Sequence, residues 1–122
     1  LPSIYEPIAP ALTALATYDE RWVAMSHQAV AQQLWPSIRL KTFFRTETNA
    51  QIEQLAAELV NQSESSFLYL CYPDAPCEIP NQGAIKSKLP GGNNDDADMR
   101  ISFQPLGTFG QYPFYRGLIQ TN

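Results

Sequence analysis

The fold turns on residues 37–72, SIRLKTFFRTETNAQIEQLAAELVNQSESSFLYLCY. Ile38, Leu40, Thr42 and Phe44 alternate with Arg39, Lys41, Phe43 and Arg45. A period of two predicts a half-buried strand over 37–45. Thr48-Asn49-Ala50-Gln51 has the spacing of a capping box, with a hydroxyl at the N-cap and Gln three residues on. Ile52, Leu55, Ala56, Leu59 and Val60 then recur at helical spacing and predict a helix over 49–62. After the polar turn 61–65, Phe67-Leu68-Tyr69-Leu70-Cys71-Tyr72 is apolar throughout, as in a strand buried on both faces. Strand, helix and strand make a β-α-β unit, which joins parallel strands by a right-handed crossover.

On the N-terminal side, Pro2, Pro7 and Pro10 keep residues 1–10 extended up to the first turn of a helix. Leu12, Leu15, Trp22, Val23, Val30 and Leu34 fall near one stripe, which predicts helix over 11–35. Asp19 and Ser26 interrupt that stripe, so a kink or two shorter helices are allowed, and Pro36 ends it. On the C-terminal side, residues 73–97 carry four prolines and Gly91-Gly92, and they read as a long loop held down by a Cys71–Cys77 staple or by the packing of Ile79, Ile85 and Leu89. Met99, Ile101 and Phe103 alternate with Arg100, Ser102 and Gln104, as a strand does. Residues 105–110 read as a turn and 112–120 as a last strand, forming an antiparallel hairpin. The expected class is α+β, in the order helix, strand, helix, strand, long loop, strand, strand, with a mixed sheet and both helices on one face.

The 122 residues suit a single domain spanning 1–122. With 44% apolar residues the composition is that of a globular chain. No apolar run approaches the roughly 18 residues of a membrane span. Eight Lys and Arg against twelve Asp and Glu give a net charge of −4, which argues against a nucleic-acid partner. The sequence opens Leu1-Pro2-Ser3, with neither initiator Met nor signal peptide. The expectation drawn from this is a processed protein, or a domain cut from a longer membrane-linked one.

Cys71 and Cys77 do not have the spacing of a redox pair or a zinc knuckle. With Pro73 and Pro76 between them they are read as a small disulfide loop, which places the chain in an oxidising compartment, periplasmic or secreted. The alternative is two unrelated thiols, with Cys71 a small core residue.

Chemistry-bearing motifs are sparse. His27, the single histidine, has no partners around it that would make a catalytic or metal site. Asp95-Asp96-Ala97-Asp98 lacks the EF-hand register and reads as a solvated acidic loop. Gly91-Gly92 is followed by acidic residues that would repel phosphate. Asn61-Gln62-Ser63 matches a glycosylation triplet. No metal or cofactor is expected.

The suggestive constellation is cationic. Arg39, Lys41 and Arg45 share one phase of the first strand, with Phe43 among them, and Arg100 has a similar phase further on. On one open sheet face they would meet an anionic small ligand or an acidic protein surface. The bland reading is that strand positions facing water are usually charged and protect edges. The expected function is a non-catalytic extracytoplasmic binding or sensory domain. The alternatives are a free-standing interaction protein, such as an inhibitor or immunity factor, and an enzyme using carboxylates of the 73–98 loop.

Overall fold

The computed structural model describes residues 9–25, 41–46, 48–71, 77–88 and 98–121. Helix α1 (Ala9–Thr17) is rich in alanine and carries Pro10 in its first turn, where a missing N–H costs nothing. Strand β1 (Trp22–Met25) follows, then β2 (Thr42–Arg45) and helix α2 (Asn49–Asn61). Strand β3 (Ser66–Leu70), the short helix α3 (Glu78–Asn81), β4 (Ile85–Lys88), β5 (Asp98–Phe109) and β6 (Tyr112–Thr121) complete the order. Among the described residues six strands form one mixed sheet in the order β2-β1-β3-β6-β5-β4. The α+β class is therefore as expected.

The capping box forms as its spacing predicts. The Thr48 backbone N–H donates to Gln51 Oε1 at 3.0 Å, and the Gln51 N–H donates to Thr48 Oγ1 at 3.3 Å. The other end of α2 closes by a Schellman motif. The Glu64 N–H reaches Leu59 O at 2.9 Å, and the Ser63 N–H reaches Val60 O at 3.0 Å. Ser63 takes the left-handed conformation there, with φ 61°.

The first segment differs from its expected form. The stripe over 11–35 does not make a continuous helix, because α1 stops at Thr17 and Trp22–Met25 is a strand. Val23, Ala24 and Met25 are buried on both faces, and periodicity cannot separate so short a buried strand from a buried helical turn. β1 lies between β2 and β3 and is parallel to both, so the β2–α2–β3 unit encloses a strand from outside itself. Residues 26–40, and with them the predicted start of the strand at 37, lie outside the described residues.

The helices also differ in placement. Ile52, Leu55, Ala56 and Leu59 of α2 pack on one sheet face with Phe67, Tyr69, Met99 and Ile101. Ala11, Ala14 and Leu15 of α1 pack on the other, with Val23, Leu68, Leu70 and Phe114. Both helices cannot lie on one face, because β3 is apolar at every position from 67 to 70 and alternate residues need cover on opposite sides.

The segment expected to be a loop at 73–97 contains α3 and β4, with Ile79 and Ile85 buried as anticipated. Leu89 lies outside the described residues. The hairpin of β5 and β6 is antiparallel as expected, but the supposed turn at 105–110 is mostly strand. A register shift between Pro105 and Gly107 absorbs the proline, at a level where β4 no longer flanks β5. The chain reverses over Gly110 and Gln111, both with positive φ, as a two-residue hairpin turn requires.

The Phe67 ring sits over Gly117, its register partner on β6, and meets Phe103 edge-on with centroids 6.1 Å apart. A Cβ at Gly117 would collide with that ring. Gly117→Ala should therefore destabilise the fold by about 1–3 kcal/mol in urea denaturation. Phe67→Leu made in the Gly117→Ala background should recover part of that loss. An unchanged midpoint in Gly117→Ala would refute the packing described.

Candidate functional site

Of the cations singled out in the sequence, Lys41 and Arg100 do not lie together on one surface. Lys41, just before β2, is buried, and its Nζ donates to the carbonyls of Tyr18 at 2.5 Å and Glu20 at 2.6 Å. Burial pushes this ammonium below the ordinary lysine range, against the opposing charges of Glu20 and Asp19. Phe43 and Arg45 stand in β2, in register with Val23 and Met25. Arg39 and His27 lie outside the described residues. Arg100 is exposed on β5, separated from β2 by β1, β3 and β6. Four strand spacings put roughly 19 Å between the backbones of β2 and β5. Part of the face between them is apolar and covered by α1.

Lys41 instead belongs to a polar cluster that fastens the α1–β1 connection to the sheet. The Glu20 carboxylate accepts from Arg116 Nε at 2.6 Å and from Ser66 Oγ at 3.3 Å. The Arg116 guanidinium lies 5.5 Å from the centroid of the Tyr18 ring. Burial alone would raise the Glu20 carboxyl, but the hydrogen bond and charge of Arg116, with the Ser66 hydroxyl, hold it below the usual carboxylate range. The carboxylate and ammonium of this cluster are spent on internal partners, and its chemistry is positional.

Arg100 has other neighbours. It is the register partner of Lys86 on β4 and of Gln120 on β6, so these three exposed residues form a row across three strands. Directly opposite side chains in such a ladder lie about 4.5–5.5 Å apart at Cβ. The row borders an open cleft of about 450 Å³, lined also by Ser87, Asp98 and Met99. At its rim Lys88 Nζ lies 3.1 Å from Asp98 Oδ1, so that aspartate is already charge-compensated. Ser102 and Gln104 continue this face with polar side chains, Leu118 of β6 is its half-buried apolar member opposite Ser102, and among the described residues no helix covers the row.

Lys86 was missed because Ile85-Lys86-Ser87-Lys88 alternates for only four residues inside a proline-rich stretch. That alternation was the available signal. Of the acidic loop, Asp98 is described and paired, while Asp95 and Asp96 lie outside the described residues. Among the described residues no three of His, Cys, Asp and Glu gather in a metal-binding group.

Cys71, buried at the end of β3, and Cys77, just before α3, are joined by a disulfide with their Cα atoms 5.7 Å apart. The bond anchors α3 to the core strand. The Gln82 side chain adds a second tie, donating to Asn49 Oδ1 at 2.6 Å. No helix among the described residues is long and apolar enough to cross a membrane. Compared with known protein families, curated proteins and solved structures, the chain shows no significant match.

Because the Glu20 carboxyl titrates lower in the folded chain than its unfolded value near 4.5, its contribution is complete above that value. It is lost as the pH falls through the lower, folded value. Glu20→Gln should cost about 1–3 kcal/mol at pH 7, since it strips the charge partner from Arg116. In urea titrations the gap between Glu20→Gln and the parent protein should narrow as the pH is taken below that of an ordinary carboxyl. A gap that does not change with pH would refute the assigned pairing.

Proposed function

We propose that the chain is a non-catalytic extracytoplasmic binding domain, and that its contact surface is the Lys86–Arg100–Gln120 row. The observation that carries this reading is the convergence of two exposed cations and an amide on a cleft of about 450 Å³ in a chain whose net charge is −4. A locally positive surface on an acidic protein attracts anions and rejects cationic partners. Arg100 offers a planar fork for a carboxylate, Lys86 a mobile point charge, and Gln120 a neutral donor. The ligand class is an anionic small molecule or an acidic protein surface. The Cys71–Cys77 disulfide supports an oxidising compartment, periplasmic or secreted.

Two measurements test the proposal. Titrating isotope-labelled protein with citrate and with oligo-glutamate should shift the backbone amides of Lys86, Arg100 and Gln120. The shifts should disappear in the Lys86→Glu/Arg100→Glu double variant and weaken strongly at about 0.5 M salt. Shifts centred elsewhere, or unchanged in the double variant, would overturn the site. For the compartment, protein from its natural source, denatured without reductant, should show no titratable thiol. Two free thiols would remove the argument for an oxidising environment.

A further inference from the structure

Strand β4 is the end strand of the sheet, and among the described residues it has a neighbour, β5, on one side only. In an antiparallel ladder, alternate residues turn both their N–H and C=O groups away from the partner, so among the described residues the outer edge of β4 presents unpaired backbone groups. Side chains alternate too. Lys86 and Lys88 belong to the face of Arg100 and Gln120, while Ile85 and Ser87 belong to the face covered by α2.

Each side of this strand carries a cleft, and the two differ in character. One is the cationic cleft of Lys86, Arg100 and Gln120. The other, of about 410 Å³, lies between Ser87–Lys88 and the outer surface of α2, where Ala50, Glu53, Ala57 and Glu58 line it. A strand laid along the edge of β4 would drop successive side chains alternately over the two. Residues over the first would meet two cations, and residues over the second would meet small and acidic neighbours.

We propose that an extended acidic segment of a partner protein adds to the edge of β4 as a further strand, with acidic residues at every second position and short polar residues between them. Main-chain hydrogen bonds would supply affinity, and the two clefts would supply the alternating specificity. This rests on the reading of the cationic row as the contact surface. A second copy of the chain is the wrong occupant, because β4 against β4 sets Lys86 and Lys88 opposite the same lysines. The charges that repel a copy attract an acidic strand.

The probe is a synthetic peptide of alternating threonine and glutamate, compared with the same peptide N-methylated at every second backbone nitrogen, which keeps its charge and loses its pairing. The unmodified peptide should bind, shift Lys86 and Arg100, and slow hydrogen exchange at β4 amides that exchange readily in the free protein. N-methylation should weaken binding by about tenfold or more. Equal binding of both peptides, with shifts at Lys86 and Arg100, would overturn strand addition while leaving the cationic surface in place. If neither peptide nor citrate moves those amides, both readings fall. Full exchange protection of the β4 amides in the free protein, or a concentration-dependent dimer seen by sedimentation, would show the edge already occupied and would overturn the proposal.

Discussion

Phe67, Leu68, Tyr69 and Leu70 have no side of the backbone left for water. A strand with that pattern is stable only between two apolar layers, and the rest of the architecture follows from supplying them. α2 covers Phe67 and Tyr69, and α1 covers Leu68 and Leu70. On its flanks β3 takes β1 in parallel and β6 in antiparallel pairing, which makes it a central strand of a mixed sheet. The interior around it is tight. Phe67 is accommodated because Gly117 offers no side chain, and the Tyr69 hydroxyl donates to the Thr46 carbonyl at 3.4 Å. Burial pushes that phenol up to about 12, so it remains a neutral donor across the physiological range.

The α1 layer needs more than apolar contact, since α1 is short and connects to β1 through the polar residues Tyr18–Arg21. Lys41, Ser66 and Arg116 come from three different strand regions and converge on that connection. A buried ammonium donating to two backbone carbonyls and a carboxylate held by a guanidinium are costly to leave unpaired, so the arrangement is specific as well as stabilising. Lys41, which looks like a water-facing cation in the alternating sequence, is thereby drawn into an internal role.

Uneven coverage produces the candidate site. α1 shares an apolar cluster with β1, β3, the start of β6 and the Leu106–Phe109 end of β5, while the part formed by β4, the start of β5 and the end of β6 carries the exposed Lys86, Arg100 and Gln120. The disulfide acts at a distance from this row. By tying α3 to the end of β3, it restrains the segment from which β4 emerges, and β4 contributes Lys86.

Much of the local structure was legible in the chain itself. Thr48 and Gln51 announced the start of α2, the apolar run at 67–70 announced a strand buried on both sides, and the alternation around Ile101 announced β5. These signals are local, since a cap, a period and a hairpin depend on residues a few positions apart. The disulfide was equally open to reading from Cys71 and Cys77 with the prolines between them. What only the tertiary structure decided is non-local. Trp22–Met25 became a strand because β2 and β3 offered it backbone partners on both sides, and a four-residue apolar run carries no period that distinguishes the outcomes. α1 went to the opposite face from α2 because both sides of β3 needed cover. Lys41 and Arg100, alike as exposed-looking cations in alternating sequence, were separated by strand order: one was drawn inward by two carbonyls, and the other was left in water beside Lys86. Residue period sets which side chains share a face of one strand, but only the pairing of strands sets which faces lie side by side.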